Sequence, residues 1–433
     1  MGDLSHIYRR FLKEERVPIF DGAIGTMLQR YPEFKGAHFG EELNLTHPQL
    51  VREVHRGYFE AGADFATTNT FSANRLRLSK AGLGNLVEEL NIRAVELAHE
   101  ATEGQAYIAG SIGPTGTLMA PLGPLTFAEA EEAFVEQARA LERGGADLII
   151  IETMDHPREI KAAIAAVKDS TKLPLIASMT FTTQGRTIHG IGPKTAANIL
   201  GNLGVDVIGA NCSVGPWELL KVAEAYRRST DLPLLIEPNA GQPRLVHGQT
   251  SYGIGAVEFA QAMREMLELG IDIIGSCCGS DPSYTRRLKE VSQGFKPQAR
   301  SWSYTPQLSS RTKTVPLEVI LERWAEVPEL VVEGGVGISE LRAASRREAP
   351  LVLLDLRGLK AEVLNQFEKA FLQTQILIDE PFGFRVSKAA VLERCLQVSD
   401  GVPLIIPEPE GSVELQEMGR LAKRYGGVIV DIP

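Results

Sequence analysis

Three of the four cysteines in the chain stand where their thiols could act together. Cys212 closes one apolar run of the sequence, and the adjacent pair Cys277 and Cys278 closes another. A single cysteine in such a run is usually a small buried hydrophobe, and a disulfide between chain neighbours would be strained and uncommon. The alternative is a shared metal site, for which soft thiolates favour zinc. Three protein ligands leave one tetrahedral position open, as in catalytic zinc sites.

An all-thiolate ligand set also limits the chemistry that a zinc ion could support. Three thiolates and Zn²⁺ carry a net charge of about −1, so the metal would be a weak Lewis acid toward water. A substrate thiol at the open position would still be deprotonated, because metal coordination ionises thiols. The residues therefore favour alkylation of a thiol over hydrolysis, with Cys212, Cys277 and Cys278 as metal-binding and catalytic residues.

The elements that would position these thiols are eight short runs of apolar and small residues, each followed by a helix-like segment. Such runs are typical of strands buried on both faces of a parallel sheet. Eight strand–helix units in about 275 residues predict a (β/α)8 barrel. An open doubly wound sheet is the alternative, but its first loop should carry a GxGxxG spacing that Asp21–Thr26 lacks. The runs are Pro18–Ala23, Ala63–Thr70, Ala106–Ile112, Ala146–Thr153, Pro174–Phe181, Val205–Cys212, Pro233–Ala240 and Ile271–Cys278.

The C-terminal ends of the strands carry the active site in barrels of this kind. The three cysteines end the sixth and eighth predicted strands, so they should lie on that rim. Polar residues end other strands at the same rim: Asp21 and Gly22 the first, Glu152 the fourth, Asn211 the sixth and Asn239 the seventh.

Five segments, in order along the chain, resemble the homocysteine S-methyltransferase family. This family includes betaine–homocysteine methyltransferase and the homocysteine-binding module of cobalamin-dependent methionine synthase. The resemblance covers residues 18–291, and the five segments together are specific for the family. They are DGAIGTMLQ (Asp21–Gln29), ADFATTNTFSANRLRL (Ala63–Leu78), GANCSVGP (Gly209–Pro216), EPNAGQP (Glu237–Pro243) and GSCCGSDP (Gly275–Pro282).

The resemblance implies a zinc-dependent enzyme that methylates homocysteine to methionine. It implies that the three cysteines bind zinc and that the homocysteine sulfur takes the fourth position. Asp21, Gly22 and Glu152 would hold the amino-acid end of the substrate, since a carboxylate suits an ammonium group and backbone N–H groups suit a carboxylate. Asn211 and Asn239 complete the candidate substrate-binding residues. Asn239 resembles a family residue that approaches the metal when substrate is absent.

The resemblance also bears on the methyl donor. Glu237–Pro243 and Ile151–Ile164 are closer to the methionine synthase module, and to bacterial proteins that fuse it to methylenetetrahydrofolate reductase, than to enzymes that use betaine or S-methylmethionine. This predicts methylcobalamin, or a folate-derived methyl group carried by a corrinoid. The sequence has no Asp-x-His-x-x-Gly corrinoid motif, so we expect a corrinoid protein, and a reductase or folate-binding subunit, on separate chains. The alternatives are an S-methylmethionine-dependent enzyme and a noncatalytic scaffold or regulatory subunit of a one-carbon complex.

Three regions are predicted along the chain. Residues 1–292 form the zinc barrel, residues 293–314 a polar linker, and residues 315–433 a smaller α/β domain that is a candidate reduced relative of the folate module. Strand-like runs in this domain lie around Val331, Leu353, Ile376 and Ile405, and at the C-terminus.

Composition excludes two classes of partner. A net charge of −10, without a basic stripe, argues against nucleic acid. No uncharged apolar run approaches the ~20 residues of a membrane span. Four cysteines in 433 residues do not make a disulfide framework, so we expect reduced thiols and a cytoplasmic location.

Overall fold

The larger part of the chain forms a parallel, barrel-shaped sheet. The computed structural model describes residues 5–246, 249–300, 305–332, 343, 349–409 and 411–431. Seven strands pair in the order β1-β2-β3-β4-β5-β6-β9, and β7 and β8 form a separate antiparallel hairpin. The strands are β1 Phe65–Thr67, β2 Tyr107–Ile112, β3 Leu148–Met154, β4 Leu175–Met179, β5 Val207–Asn211, β6 Leu234–Glu237, β7 Arg244–Val246, β8 Gln249–Ser251 and β9 Ile273–Ile274.

Ile19 and Phe20 fill the eighth strand position and close the barrel. Ile19 forms a parallel bridge with Ile274 of β9, and Phe20 forms one with Phe65 of β1. The Phe20 amide donates to the Ile274 carbonyl at 2.8 Å, and the Asp64 amide donates to the Ile19 carbonyl at 2.7 Å. The predicted (β/α)8 fold is confirmed, and each of the eight predicted runs supplies one strand position.

The barrel interior is filled by one or two apolar side chains from each strand position, because successive residues of a strand point to opposite faces. At one end, α1 (Ser5–Glu14) closes the barrel. Its Phe11 ring stacks on Phe65 at 5.7 Å, and its Tyr8 hydroxyl donates to Asp272, which precedes β9, at 3.1 Å. The C-terminal rim is therefore the open end. The interior residues are Phe20, Phe65, Ala109, Leu148, Ile150, Ile176, Val207, Leu235 and Ile273.

Helices surround the barrel and begin at signals that are visible in the sequence. Thr126 and Glu129 form a reciprocal capping box at the start of α7, and Pro157 opens α8 at the position where proline costs no hydrogen bond. The helices are α2 Ile24–Leu28, α3 Leu43–Thr46, α4 Pro48–Glu60, α5 Arg75–Leu78, α6 Val87–Thr102, α7 Phe127–Gly144, α8 Pro157–Ser170, α9 Pro193–Asn202, α10 Pro216–Arg227, α11 Ala256–Glu268 and α12 Pro282–Val291.

The C-terminal region is a smaller α/β domain, as predicted. Its five strands form a parallel sheet in sequential order. They are β12 Glu329–Val331, β13 Val352–Asp355, β14 Phe382–Val386, β15 Leu404–Pro407 and β16 Val428–Ile429. The helices whose bounds lie within the described residues of this region are α13 Leu317–Glu322, α14 Ala361–Thr374, α15 Ala389–Val398 and α16 Ser412–Tyr425.

The prediction of a strand around Ile376 is wrong. Residues Gln375–Leu377 instead form a 3-10 turn that continues from α14. The buried Gln375 side chain fixes this turn, since it donates to the Val398 carbonyl at 2.7 Å and accepts from the Asp400 amide at 2.9 Å. The strand forms later, at β14, whose Phe382 ring packs edge-on against Phe371 of α14.

Buried polar contacts join the two regions. Arg158 of α8 pairs with Asp400 at 2.9 Å, and Lys161 of α8 donates to the carbonyls of Leu396 and Ser399, each at 2.9 Å. Part of the predicted linker is ordered as an antiparallel hairpin of β10 (Gln307–Ser309) and β11 (Thr314–Pro316). The proposed domain boundaries stay a prediction. Among the described residues, no helix combines the length and apolar character needed to cross a membrane.

Candidate active site

The three predicted cysteines converge at the open rim of the barrel. Cys212 follows β5 directly, whereas Cys277 and Cys278 lie three and four residues beyond β9. Their sulfur atoms all lie within 4.8 Å of one another, and the Cys212 and Cys278 Sγ atoms are 3.7 Å apart. All four cysteines are free thiols. In the part of the chain that is described, this is the one group of three or more His, Cys, Asp or Glu side chains able to share a metal ion.

A network of backbone bonds holds the loops that carry these thiols. The Cys212 amide donates to the Glu237 carbonyl at 3.1 Å, and the Cys277 amide donates to the Pro238 carbonyl at 2.8 Å. The Cys278 carbonyl accepts from the Ala240 amide at 2.9 Å. The segment after β6 therefore lies between the two cysteine loops and fixes their separation.

Left-handed backbone turns aim the side chains at this rim. Cys212 and Ser213 have φ values of 61° and 59°, an unfavourable conformation for residues other than glycine that clusters at functional sites. Gly279, directly after the cysteine pair, has φ of +84°, and a Cβ at this position would lie 2.2 Å from Cγ of Tyr252. The turn after Cys278 thus requires glycine for both its backbone conformation and its packing.

Three carboxyl groups lie in the same cavity and are strongly perturbed. Burial raises the pKa of Asp21 to about 8 against the hydrogen bonds that it accepts from Thr67. Burial likewise raises the pKa of Glu152 to about 7. Burial, with the nearby charges of Glu152 and Asp21, raises the pKa of Glu237 well above its ordinary value. Each carboxyl is costly to ionise unless a cation arrives.

Hydrogen bonds orient two of these carboxyl groups. Asp21 accepts from the Thr67 amide at 2.8 Å and from the Thr67 hydroxyl at 2.7 Å. Glu152 accepts from the Ser111 hydroxyl at 2.6 Å and from the Asn211 side-chain amide at 3.0 Å. Residues of neighbouring strands therefore hold both carboxyl groups in fixed orientations.

The three thiols also perturb one another. Hydrogen bonds from Cys212 and Cys277 lower the pKa of Cys278 to about 4, whereas the same contacts and burial raise the pKa of Cys277 well above its ordinary value. The Cys278 thiolate is thus stabilised, whereas the Cys277 thiol becomes harder to ionise. Ionising all three requires an added positive charge.

The cavity in front of these groups has a volume of about 510 Å³. Its floor carries Asp21, Gly22, Glu152, Glu237 and the three cysteines, and its outer wall carries three phenylalanines. No Lys or Arg side chain is among the described residues that line it. A cavity with this charge suits a metal cation together with a ligand that carries an ammonium group. The three phenylalanines of the outer wall are Phe34, Phe39 and Phe71.

The predicted asparagines take different positions. Asn211 is fully buried and does not line the described wall of the cavity. Asn239 is buried, and its Oδ1 atom has no hydrogen-bond partner. The backbone amide of Asn239 donates to the Val214 carbonyl at 3.0 Å, which places the residue between the cysteine loops.

Sequence reasoning missed several groups at the site. Glu237 is absent from the predicted site residues, although its position at the end of β6 is a usable signal. Thr67 and Ser111 orient Asp21 and Glu152, and the Tyr252 side chain helps to lower the pKa of Cys278. Nothing in the local sequence marks Tyr252, because it follows the hairpin of β7 and β8 and reaches Cys278 only through the fold.

Comparisons with known proteins agree with this arrangement. The sequence profile of the family described as homocysteine S-methyltransferase matches residues 18–292. Methionine synthase from Mycobacterium tuberculosis is 32% identical over 332 residues, which cover 72% of this chain and 28% of that protein. Methionine synthase from Mycobacterium leprae is 31% identical over 324 residues, or 70% and 27% of the two chains. The chain therefore spans less than a third of the length of these relatives.

A solved structure shares the fold. The metallated form of the homocysteine methyltransferase MmuM from Escherichia coli superposes with a TM-score of 0.55 at 24% identity, covering 65% of this chain and 98% of that one. Because the shared region is almost the whole of that protein, the barrel corresponds to a complete fold, and the C-terminal domain lies largely beyond it.

Proposed function

The chain belongs to the homocysteine S-methyltransferase family, and from this premise we propose that it is a zinc-dependent enzyme that methylates homocysteine to methionine. The observation that carries the proposal is the convergence of three thiols and three buried carboxyls on one cavity without a Lys or Arg side chain in its described lining. Zinc and the ammonium group of an amino acid supply the cations that this set of groups requires.

The donor set fits zinc. Three sulfur ligands within 4.8 Å of one another are compatible with a tetrahedral ion whose Zn–S bonds measure about 2.3 Å. The unpaired Oδ1 atom of buried Asn239 offers one further ligand near the cysteine loops. When bound, zinc would supply the positive charge that keeps the substrate thiol ionised as a nucleophile.

Asp21, Gly22, Glu152 and Glu237 have roles in orienting the amino-acid end of the substrate. The carboxylates would hold the ammonium group through charge-assisted hydrogen bonds. Gly22 lines the cavity, and its backbone would face the substrate carboxylate. The position requires glycine, because a Cβ there would lie 2.6 Å from Ser280 Oγ. The sulfur is then held toward the cysteines, and positioning of this kind contributes strongly to the rate.

The reaction is a direct transfer. The homocysteine sulfur forms a bond to the methyl carbon as the bond between that carbon and the donor breaks, and the donor keeps the bonding electron pair.

We propose that the methyl group arrives on a corrinoid carried by a separate protein, with methylcobalamin as the donor and a folate or reductase subunit as its source. Two observations support a donor that is carried by a protein. The matched relatives are methionine synthases more than three times as long as the region they share with this chain. Exposed Leu118, Leu122 and Ile188 lie on loops after β2 and β4, at the same end of the barrel as the cavity, although none of them lines it.

Methionine formation tests this proposal. The zinc-loaded protein is incubated with homocysteine and, separately, with methylcobalamin, S-methylmethionine or betaine, and methionine is measured by mass spectrometry. Methylcobalamin should be the effective donor, and Cys278→Ala should abolish both turnover and zinc binding. Cys395→Ala is the matched control, since that buried cysteine lies in the C-terminal domain. Turnover with S-methylmethionine alone would contradict the donor, and no turnover with any donor despite bound zinc would favour a scaffold.

A further inference from the structure

Asn211 contacts both halves of the proposed site. Its Nδ2 atom donates to Glu152 Oε2 at 3.0 Å and to the Thr153 hydroxyl at 2.9 Å, and it lies 3.9 Å from Cys277 Sγ. Its Oδ1 atom accepts from the Thr153 amide at 2.8 Å and from the Ser178 hydroxyl at 3.0 Å. Every polar atom of this amide is therefore used inside the protein.

These contacts favour an indirect role for Asn211 over the predicted direct contact with the substrate. Its side chain is fully buried and is absent from the described lining of the cavity. Glu152 and Cys277, by contrast, both face the cavity. An amide that is saturated and lies behind these two cavity-lining groups can influence the substrate only through them.

The backbone beside Glu152 shows what the amide holds in place. Thr153 has φ of 58°, which is costly for a β-branched residue. The pairing of β3 with β4 shifts register between Ile151 and Met154. An irregularity of this kind re-aims side chains next to active sites, and here it lies at Glu152 and Thr153. Asn211 bonds both the amide and the hydroxyl of Thr153 and so stabilises the distortion.

We propose that Asn211 is a positioning residue that couples the substrate-orienting carboxyl Glu152 to the metal-binding thiol Cys277. The inference rests on the proposed function, because it assigns Asn211 a role toward both the zinc ligands and the amino-acid end of homocysteine. One rigid amide sets the distance between the sulfur-binding and the ammonium-binding ends of the cavity.

Asn211→Asp tests the coupling with little change in volume. The variant places a carboxylate oxygen where Nδ2 faces Glu152 and Cys277. Zinc affinity, measured on the full chain by competition with a chromophoric chelator, should fall about 10- to 100-fold, the range seen when groups that orient metal ligands are lost. Homocysteine binding to the zinc-loaded protein, measured by calorimetry, should weaken at least tenfold.

Asn91→Ala is the matched control for losing a buried amide. Asn91 is fully buried and donates to the carbonyls of Ala73 and Val87 at 2.9 and 2.7 Å, away from the cavity. It should lower thermal stability but leave zinc affinity within threefold of the wild type. If Asn211→Asp behaves in the same way, the amide is merely structural and the inference fails.

A double-mutant comparison separates coupling from two independent effects. If Asn211 acts through Glu152, the loss of homocysteine affinity caused by Glu152→Gln should be much smaller in the Asn211→Asp background than in the wild type. Additive losses would overturn the coupling while leaving the proposed function intact. A wild-type protein that binds no zinc would instead refute the proposed function.

Discussion

Replacing Glu152 by Gln should make the metal-free protein more stable and the enzyme worse at binding homocysteine. The substitution keeps the shape of the side chain. The Gln carbonyl can accept from Asn211, and its amide can donate to the Ser111 hydroxyl, so both hydrogen bonds of the carboxylate have replacements. The main change is removal of a buried ionisable group.

The magnitude follows from the perturbed carboxyl. Burial raises the pKa of Glu152 from 4.5 to about 7. A group whose pKa is higher in the folded state adds stability below pH 4.5 and loses it as the pH rises through 7. The gap between the two values corresponds to about 3 kcal/mol by pH 8. Glu152→Gln should therefore raise the free energy of unfolding by up to about 3 kcal/mol at pH 8 and leave it unchanged at pH 4.

Homocysteine binding should change in the opposite direction. Loss of one charge-assisted hydrogen bond to the ammonium group costs about 2 kcal/mol, or ~30-fold in affinity. Urea unfolding of chelator-treated protein at pH 4 and pH 8 measures the first effect, and calorimetry of the zinc-loaded protein measures the second. A variant that is destabilised at pH 8, or that binds homocysteine as the wild type does, would refute the reasoning.

Three further substitutions address other features. Gly279→Ala should lower zinc affinity at least tenfold, because the added Cβ would collide with the ring of Tyr252. In the control Gly82→Ala, φ is similar at +76° and the space is open, so only the backbone strain of about 1–2 kcal/mol should lower stability. Both are measured by calorimetric unfolding and chelator competition, and equal effects would refute the packing argument. Arg158→Met should lower the free energy of unfolding in urea by about 3–5 kcal/mol, because it leaves Asp400 buried without its partner. Adding Asp400→Leu should recover most of that loss, and no recovery would contradict the stabilising role of the ion pair. Burial holds the pKa of Asp21 at about 8, so binding of an ammonium group near pH 7 should release a proton. Asp21→Asn should reduce this release by about one proton per site, measured by calorimetry in buffers of different ionisation enthalpy. An unchanged release would contradict the assignment of Asp21 to the ammonium group.

The sequence was sufficient to predict the barrel and the position of its reactive rim. Strands buried on both faces leave an apolar signature that short-range patterns preserve, and the strand ends then place Asp21, Glu152 and the cysteines at one edge. The confirmed fold follows from this signature, whereas the family membership follows from the five motif segments between Asp21 and Pro282.

The features that the sequence did not predict depend on contacts between distant residues. The left-handed conformations of Thr153 and Cys212 are imposed by bonds from neighbouring strands, and no local preference indicates them. Tyr252 reaches Cys278 from a hairpin 26 positions earlier in the chain. The C-terminal strand near Ile376 was misplaced because α14 continues into a turn fixed by Gln375, whose partners lie more than 20 residues away.

X-ray absorption at the zinc edge tests the central claim most directly. The wild-type protein is measured alone, with homocysteine and with selenohomocysteine. We expect three sulfur neighbours at about 2.3 Å without substrate, a fourth with homocysteine, and a selenium neighbour in its place with the selenium analogue. Cys278→Ala should lose the metal. A zinc environment unchanged by either substrate, or one without sulfur neighbours, would contradict the claim that the three cysteines hold zinc for activation of the homocysteine thiol.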